Sequence, residues 1–345
     1  MRVLVTGGAG MVGSHVAEYY HGLGWEVTIL DNLMRSKLFE YDKESVEFNW
    51  NYLVNLGIKC VKGDVRIADD IDKALGEGVD LVIHCAGQPG VPSSVRMPRE
   101  DFMINAWGTV NVLEAVRGRC PEACFIYCST NKVFGENVDS IPLVELDTRY
   151  DFKGVLGVNE NMLTDLTGHT PYGVSKLTGD LYVQEYGKIY GMNTGVFRMS
   201  CIYGTRQFGF EDQGWVSWFI IAALYGKPVT IFGDGKQVRD MLWADDLVRL
   251  FDTFRQSGVK TGVFNAGGGR DNTISLLEFV NILYQKTGKR LDLKFKDWRP
   301  SDQKVYITDI SKAKGLGWSP TTNINDGIDN IIRWINENPS YFSLS

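Results

Sequence analysis

Tyr172 and Lys176 stand four residues apart in the stretch Tyr172-Gly-Val-Ser-Lys176. On a helix that spacing puts both side chains on one face. A lysine ammonium there favours the phenolate and lowers a phenol pKa from its ordinary value of about 10. Such a tyrosine exchanges a proton with a hydroxyl near neutral pH. A second hydroxyl belongs beside it. Ser129-Thr130-Asn131-Lys132-Val133-Phe134-Gly135 follows the apolar run Phe125–Cys128, and Thr130 is placed to hold the reacting oxygen. A strand-end threonine also caps turns, so the role rests on the constellation.

The chemistry needs a hydride carrier, and the N-terminus provides for one. Gly7-Gly8-Ala9-Gly10-Met11-Val12-Gly13 reads G-x-x-G-x-x-G between a short apolar strand and a helix. Gly7 allows a tight turn, Gly10 lets backbone approach a pyrophosphate, and Gly13 lets helix pack close to strand. The phosphates then meet the N–H groups and positive dipole end of the helix, at Met11 and Val12. Asp31 ends the next strand, where a carboxylate binds the adenine-ribose diol and repels a 2′-phosphate, so NAD is favoured over NADP. Arg35 and Lys37 follow and pull the other way. Asp64-Val65 ends the third strand and is placed to contact adenine, with a plain loop aspartate as the alternative.

These residues need a scaffold that gathers strand ends. Strand signals at Arg2–Thr6, Glu26–Leu30, Lys59–Lys62, Leu81–His84 and Phe125–Cys128 alternate with helical stretches at Met11–Leu23, Ile67–Leu75 and Asp101–Val116. That rhythm predicts an α/β fold, a Rossmann-type doubly wound parallel sheet with ligands beyond the strands' carboxyl ends. After about Phe197 the rhythm loosens. Glycine-rich turns and amphipathic stretches at Leu276–Thr287 and Ile324–Glu337 predict a smaller C-terminal α/β lobe. The expected division is 1–196 for the dinucleotide domain, with an irregular segment at 136–169, and 197–345 for a lobe interleaved with it.

Composition excludes several other classes. The 345 residues carry 42 acidic against 36 basic side chains, a net charge of −6, without the basic footprint of a nucleic-acid binder. The longest nearly apolar run, Val216–Tyr225, is about half a bilayer span. No signal peptide is visible before MRVLVTGG, which points to the cytoplasm. The six cysteines form no C-x-x-C pair and the four histidines are scattered, so no metal site is expected.

Taken together, GGAGMVGSH, Asp31-Asn32, Gly63-Asp64-Val65, His84-Cys85-Ala86-Gly87, Asn105-Ala-Trp-Gly108-Thr109, STNKVFG, YGVSK, GDGKQVRD and RPSDQ resemble the extended short-chain dehydrogenases/reductases that act on nucleotide sugars. HTPYGVSK and IYGTRQFGFEDQGW, with STNKVFG and GKQVRD, are most similar to the CDP-tyvelose (CDP-paratose) 2-epimerases. The resemblance implies a catalytic triad of Thr130, Tyr172 and Lys176. It implies cofactor contacts from Gly7, Gly10, Gly13, Asp31, Asn32, Arg35, Asp64, Val65, Ala86, Gly87, Gln88 and Asn105. Arg239 and Arg299 match arginines that contact the nucleotide, with Asp302 beside them, and Ser200-Cys201 matches the small polar pair of the 2-epimerases. Asn131, Lys132, Arg206, Gln207 and Trp215 are candidates to shape the sugar pocket. Two positions depart from the pattern: Phe134 replaces a common tyrosine, and Cys201 stands where many relatives place an asparagine.

The implied reaction is epimerisation at C2 of a nucleotide-diphosphate sugar through a keto-sugar, with NAD unchanged overall, as a step of polysaccharide biosynthesis. Dehydration is disfavoured, because Asn131 and Lys132 occupy the positions where nucleotide-sugar 4,6-dehydratases carry an acidic pair after the threonine. A UDP-hexose 4-epimerase or another sugar-nucleotide oxidoreductase remains open, as does a non-catalytic nucleotide sensor or scaffold. The resemblance also implies a homodimer joined by a four-helix bundle from the Asp101–Val116 helix and the helix starting near Tyr172.

Overall fold

A computed structural model describes residues 1–35, 43–211, 213–299 and 302–342. In chain order the elements of the first part are β1 (Arg2–Thr6), α1 (Met11–Gly22), β2 (Glu26–Asp31), α2 (Lys43–Asn55), β3 (Lys59–Lys62), α3 (Ala68–Leu75), β4 (Leu81–His84), α4 (Val91–Arg96), α5 (Pro98–Phe102), a π-helical turn (Met103–Trp107), α6 (Gly108–Arg119) and β5 (Cys124–Thr130). A 3₁₀ stretch (Asn131–Ser140), β6 (Leu143–Glu145) and β7 (Tyr150–Phe152) lead to α7 (Pro171–Tyr190) and β8 (Asn193–Met199). Then come β9 (Cys201–Tyr203), α8 (Trp215–Tyr225), β10 (Val229–Phe232), β11 (Val238–Trp243), α9 (Ala244–Gln256), β12 (Thr261–Ala266), β13 (Thr273–Ser275), α10 (Leu276–Thr287), β14 (Leu293–Lys296), β15 (Val305–Tyr306), α11 (Ser311–Lys314) and α12 (Ile324–Glu337).

Seven strands form one parallel sheet in the order β12-β8-β5-β4-β1-β2-β3. The strands alternate their side chains between two cores. Val3 and Val5, Leu81 and Ile83, and Ile126 and Cys128 face α1, α2 and α9, while Leu4, Val82, Phe125 and Tyr127 face α3, α6 and α7. Helices therefore cover both faces, the doubly wound arrangement that the β-α rhythm predicts. β1 pairs with β2 on one side and β4 on the other, so the strand order reverses there and a crevice opens above their carboxyl ends.

The chain does not leave this sheet at residue 196. β8 runs on to Met199, and β12 joins the sheet edge after β10 and β11 have been laid into the second lobe. The smaller lobe has its own core, with Ile220, Ile231, Met241, Phe279, Ile328 and Ile331 buried together.

Beneath the end of β5 lies a buried ion pair. Arg198 donates from Nε to Asp180 Oδ2 (3.0 Å), Ser129 Oγ donates to the same oxygen (2.8 Å), and Gln184 Nε2 donates to Oδ1 (2.6 Å). The Phe134 ring is fully buried with the Arg198 guanidinium 5.1 Å from its centre. The tyrosine-to-phenylalanine departure thus places an apolar ring against a paired cation. Breaking one side of such a pair leaves an uncompensated buried charge. Arg198→Met is expected to cost about 3–5 kcal/mol in chemical unfolding, and Arg198→Met with Asp180→Leu to recover most of that loss.

Candidate functional site

The turn after β1 sets the crevice. Gly7 has φ +68°, and a Cβ there would sit 2.6 Å from the Ala86 nitrogen on the neighbouring strand end. A Cβ on Gly13 would lie 2.8 Å from Gly8 Cα and closer still to the Gly7 oxygen. Only glycine lets α1 start this near the sheet. No side chain caps α1, so its N-terminus faces the crevice with backbone alone. Asp31 closes the turn from the other side, accepting from Ala9 N (2.9 Å) at Oδ2 and from Leu33 N (2.8 Å) at Oδ1. Each carboxylate oxygen keeps a lone pair for a further donor. Burial raises the Asp31 pKa while those backbone donors lower it.

A single groove above the sheet gathers Gly7, Gly10, Met11, Val12, Gly13, Asp31, Asn32, Arg35, Val65, Ala86, Gly87, Gln88, Tyr172, Lys176 and Gln207. The groove has a cavity volume of about 250 Å³ and is open to solvent at its mouth. The uncapped helix end and the half-used Asp31 carboxylate fit a dinucleotide. Arg35 crosses from β2 to the second lobe, donating from Nη2 to Phe208 O (2.9 Å) and Gln213 Oε1 (3.2 Å). Lys37 lies outside the described residues.

Tyr172 and Lys176 enter the groove from the start of α7. Thr170 caps that helix, accepting from Gly173 N (3.3 Å), and Pro171 occupies its first turn. The expected lowering of the phenol is not what the arrangement produces. Burial pushes Tyr172 up to about 12, against the opposing hydrogen bond from Thr130, with Asp101 and Cys128 adding to the rise. The Lys176 ammonium turns to the face of Tyr127, 4.3 Å from the ring centre, and burial pushes it down to about 8.

Several predicted residues lie elsewhere. The Asp64 carboxylate is taken by Arg66, at 2.6 Å from Oδ2, and by Asn32 Nδ2 (2.9 Å). Asn105 is buried behind the groove. It accepts from Gln88 N at Oδ1 (2.8 Å) and donates from Nδ2 to Asp101 (3.1 Å) and Ser175 Oγ (3.0 Å). Arg206 points away, under α1: it pairs with Glu18 (2.7 Å) and lies over the Tyr52 ring. Its neighbour His15 bonds Asp245 (2.6 Å), so these residues tie the lobes together behind the groove.

The remaining predicted residues form a patch past Thr130. Arg239 Nη2 donates to Asp302 (2.6 Å), and the field of that pair and of Asp139 acts on Lys132, which burial brings down to about 8. Asn131 Oδ1 accepts from Thr130 (3.3 Å). Ser200 Oγ donates to the buried Asp240 (2.5 Å). Cys201, pushed up to about 12 by burial, faces Trp215. Arg299 stacks on Phe232 at 3.8 Å. Among the described residues no His/Cys/Asp/Glu group could hold a metal ion.

Sequence reasoning missed the buried posts that hold the groove. Thr109 donates to Asn105 O (2.6 Å), so its oxygen accepts from His84 Nε2 (3.0 Å), leaving His84 Nδ1 to accept from Thr6 (2.6 Å). Burial pushes His84 down to about 3, in keeping with that neutral ring. Cys85 and Cys128, whose sulfurs are 3.5 Å apart, line the groove floor beside Lys176.

The family described as "NAD dependent epimerase/dehydratase family" matches residues 3–267. The chain belongs to that family. A CDP-paratose 2-epimerase of Salmonella typhi is 38% identical over 347 residues, covering 97% of this chain and 99% of that one. A UDP-glucose 4-epimerase of Thermotoga maritima, solved with UDP-glucose, superposes with a TM-score of 0.82 at 27% identity, over 98% and 100% of the two chains. A UDP-glucuronic acid 4-epimerase of Bacillus cereus, solved with UDP-glucuronic acid and NAD, gives 0.81 at 28%, over 98% and 100%. In this epimerase/dehydratase chain, as in the family description, NAD is the cofactor to test against the groove.

Burial of Lys176 carries a stability consequence with a definite sign. Its pKa is near 8 folded against 10.5 free, so the ammonium costs stability in full below pH 8, and the cost fades as pH rises to 10.5. Lys176→Met is expected to be more stable than the parent by about 1–3 kcal/mol at pH 7. Chemical unfolding at pH 7 and pH 10 should show that gain shrinking at the higher pH.

Proposed function

We propose that the protein is an NAD-dependent epimerase that inverts C2 of a CDP-linked deoxyhexose of the paratose/tyvelose type. One observation carries the reading. Tyr172 lines the groove with the Thr130 hydroxyl acting on its phenol, while the two positions after Thr130 hold Asn131 and Lys132. The site thus has a proton acceptor for one sugar hydroxyl and lacks, at those positions, the carboxylates that dehydration would use. The 38% identity to a CDP-paratose 2-epimerase over nearly both whole chains supports C2 and CDP. The 4-epimerase structures share the fold at lower identity and make C4 inversion the alternative.

NAD held in this groove would supply a reversible hydride acceptor for the sugar carbon. The groove glycines and the start of α1 would hold its pyrophosphate, and Asp31 its adenine ribose. Ala86, Gly87 and Gln88, braced by Asn105, would wall the reactive end. Tyr172 Oη takes the hydroxyl proton as the carbon becomes a ketone, and gives it back when the carbon is reduced from the other face. Thr130 would orient that hydroxyl, and Lys176 would place a positive charge in the groove one helical turn beyond Tyr172. Arg239 and Arg299 offer planar donor forks for the substrate's diphosphate, with Asp302 fixing Arg239. Asn131, Lys132, Ser200, Cys201 and Trp215 border the space left for the sugar.

We also propose that the chain works as a cytoplasmic homodimer. Val95, Phe102, Met103 and Trp107 on the α4–α6 stretch are exposed, and so are Val174, Leu181 and Tyr182 on α7. These elements pack on one another, so the apolar side chains share one side of the fold and suit a second copy in a four-helix bundle. Among the described residues no helix is long and apolar enough to cross a membrane.

Proton NMR of the purified protein with CDP-, UDP-, GDP- and ADP-hexoses, without added cofactor, tests the reaction. C2 inversion is expected with a CDP-sugar, and C4 inversion would overturn the assignment. Tyr172→Phe should lose turnover by about 10²–10⁴-fold while still binding NAD. In sedimentation the parent should run as a dimer, and Phe102→Glu with Leu181→Glu as a monomer.

A further inference from the structure

Two carboxylates are buried near Lys176, and they differ in how their charge is met. Asp180 has its guanidinium partner, Arg198, together with Ser129 and Gln184. Asp101, on α5, is 1% exposed and, among the described residues, makes no ion pair with a guanidinium or ammonium within 4 Å. Its Oδ1 accepts from Gln88 Nε2 (3.0 Å) and Asn105 Nδ2 (3.1 Å), and its buried Oδ2 has no hydrogen-bond partner among the described residues. Buried charges are ordinarily paired. The cation whose field reaches Asp101 is Lys176.

The same carboxylate also sits at a junction. Gln88 belongs to the groove wall, and Asn105 bridges from Asp101 to Ser175 Oγ (3.0 Å), which donates to the Tyr172 carbonyl (3.1 Å). Asp101 is thus joined through neutral side chains both to the loop flanking the groove and to the first turn of α7.

We propose that Asp101 is a positioning residue for the Tyr172–Lys176 pair, holding the groove wall to the start of α7 and acting as the buried through-space counter-charge of the Lys176 ammonium. The inference rests on the epimerase reading for its catalytic meaning, though the charge relation stands without it. Other groups face the pair as well. Lys176 is met by the Tyr127 ring and Cys128 from β5, by Cys85 and the neutral His84 from the end of β4, and by Asp180 from α7 itself. Tyr172 is met by Thr130 and Cys128 from β5. Asp180 has its charge met by Arg198, whereas Asp101 has no such cation beside it among the described residues, and its negative charge acts on both members.

Removing that charge must then make both Tyr172 and Lys176 give up their protons at lower pH. Asp101→Asn keeps the shape and an acceptor for Gln88 and Asn105. Phenolate absorbance, read as the difference against Tyr172→Phe in the same background, is expected to titrate about 0.5–1 pH unit lower in Asp101→Asn. The acid limb of kcat against pH is expected to move the same way. A fall in kcat with neither titration displaced would make Asp101 merely structural and overturn the proposal, and unchanged titrations with unchanged kcat would overturn it too. If Asp101→Asn does not fold, Asp101→Ser, which removes the charge and leaves room for water, is titrated in its place. The phenolate measurement needs no sugar. A parent without turnover would therefore sink the epimerase reading while leaving the displaced titration to decide this one.

Discussion

Gly13 and the Gly7 carbonyl are so close that no side chain can stand between them, and the dinucleotide groove exists because of that approach. With α1 pressed against the turn, its N-terminal amides point into the crevice where β1 and β4 part. Asp31 then has two backbone donors within reach and becomes a fixed acceptor. The Gly7 turn in its left-handed conformation abuts the backbone of Ala86, which sets where the Ala86–Gln88 wall can run. Every other part of the site is placed relative to that wall.

From the wall outwards, positioning passes through buried neutral hydrogen bonds more than through charge. Thr6, His84, Thr109 and Asn105 form a chain from β1 to the helical layer, with each donor and acceptor role fixed by the next. Asn105 passes it on to Ser175, one residue from Lys176. Such a chain resists the rotations that would let a tyrosine hydroxyl wander from a reacting oxygen. Two ion pairs lie at its margins: Asp180 with Arg198 beneath β5, Arg239 with Asp302 on the substrate side.

How much of this the sequence discloses depends on range. The glycine turn, Asp31, the alternation of strands with helices and the Tyr172–Lys176 spacing are local patterns, and local geometry carries them directly into the structure. Arg206 and Asp64 show the limit: a residue type in a suggestive stretch says nothing about direction. Arg206 turns under α1 to Glu18, and Asp64 is claimed by Arg66 two residues on. His84, Asp101 and Asp180 carry no sequence signal, because their meaning lies in partners from distant elements. The four-residue spacing of Tyr172 and Lys176 predicts a shared face, yet not that the ammonium would choose the ring of Tyr127.

The late return of β12 to the edge of the seven-stranded sheet has a consequence for how the chain is made. Residues 261–266 complete a layer begun at residue 2, and α9, at 244–256, covers the same face as α1. On the ribosome the N-terminal layer stays unfinished, with β8 as an open edge, until more than three quarters of the chain has emerged. The strand that closes that edge is made only after β10, β11 and α9. Cutting the chain near its middle would leave five of the seven strands on one fragment and β8 and β12 on the other.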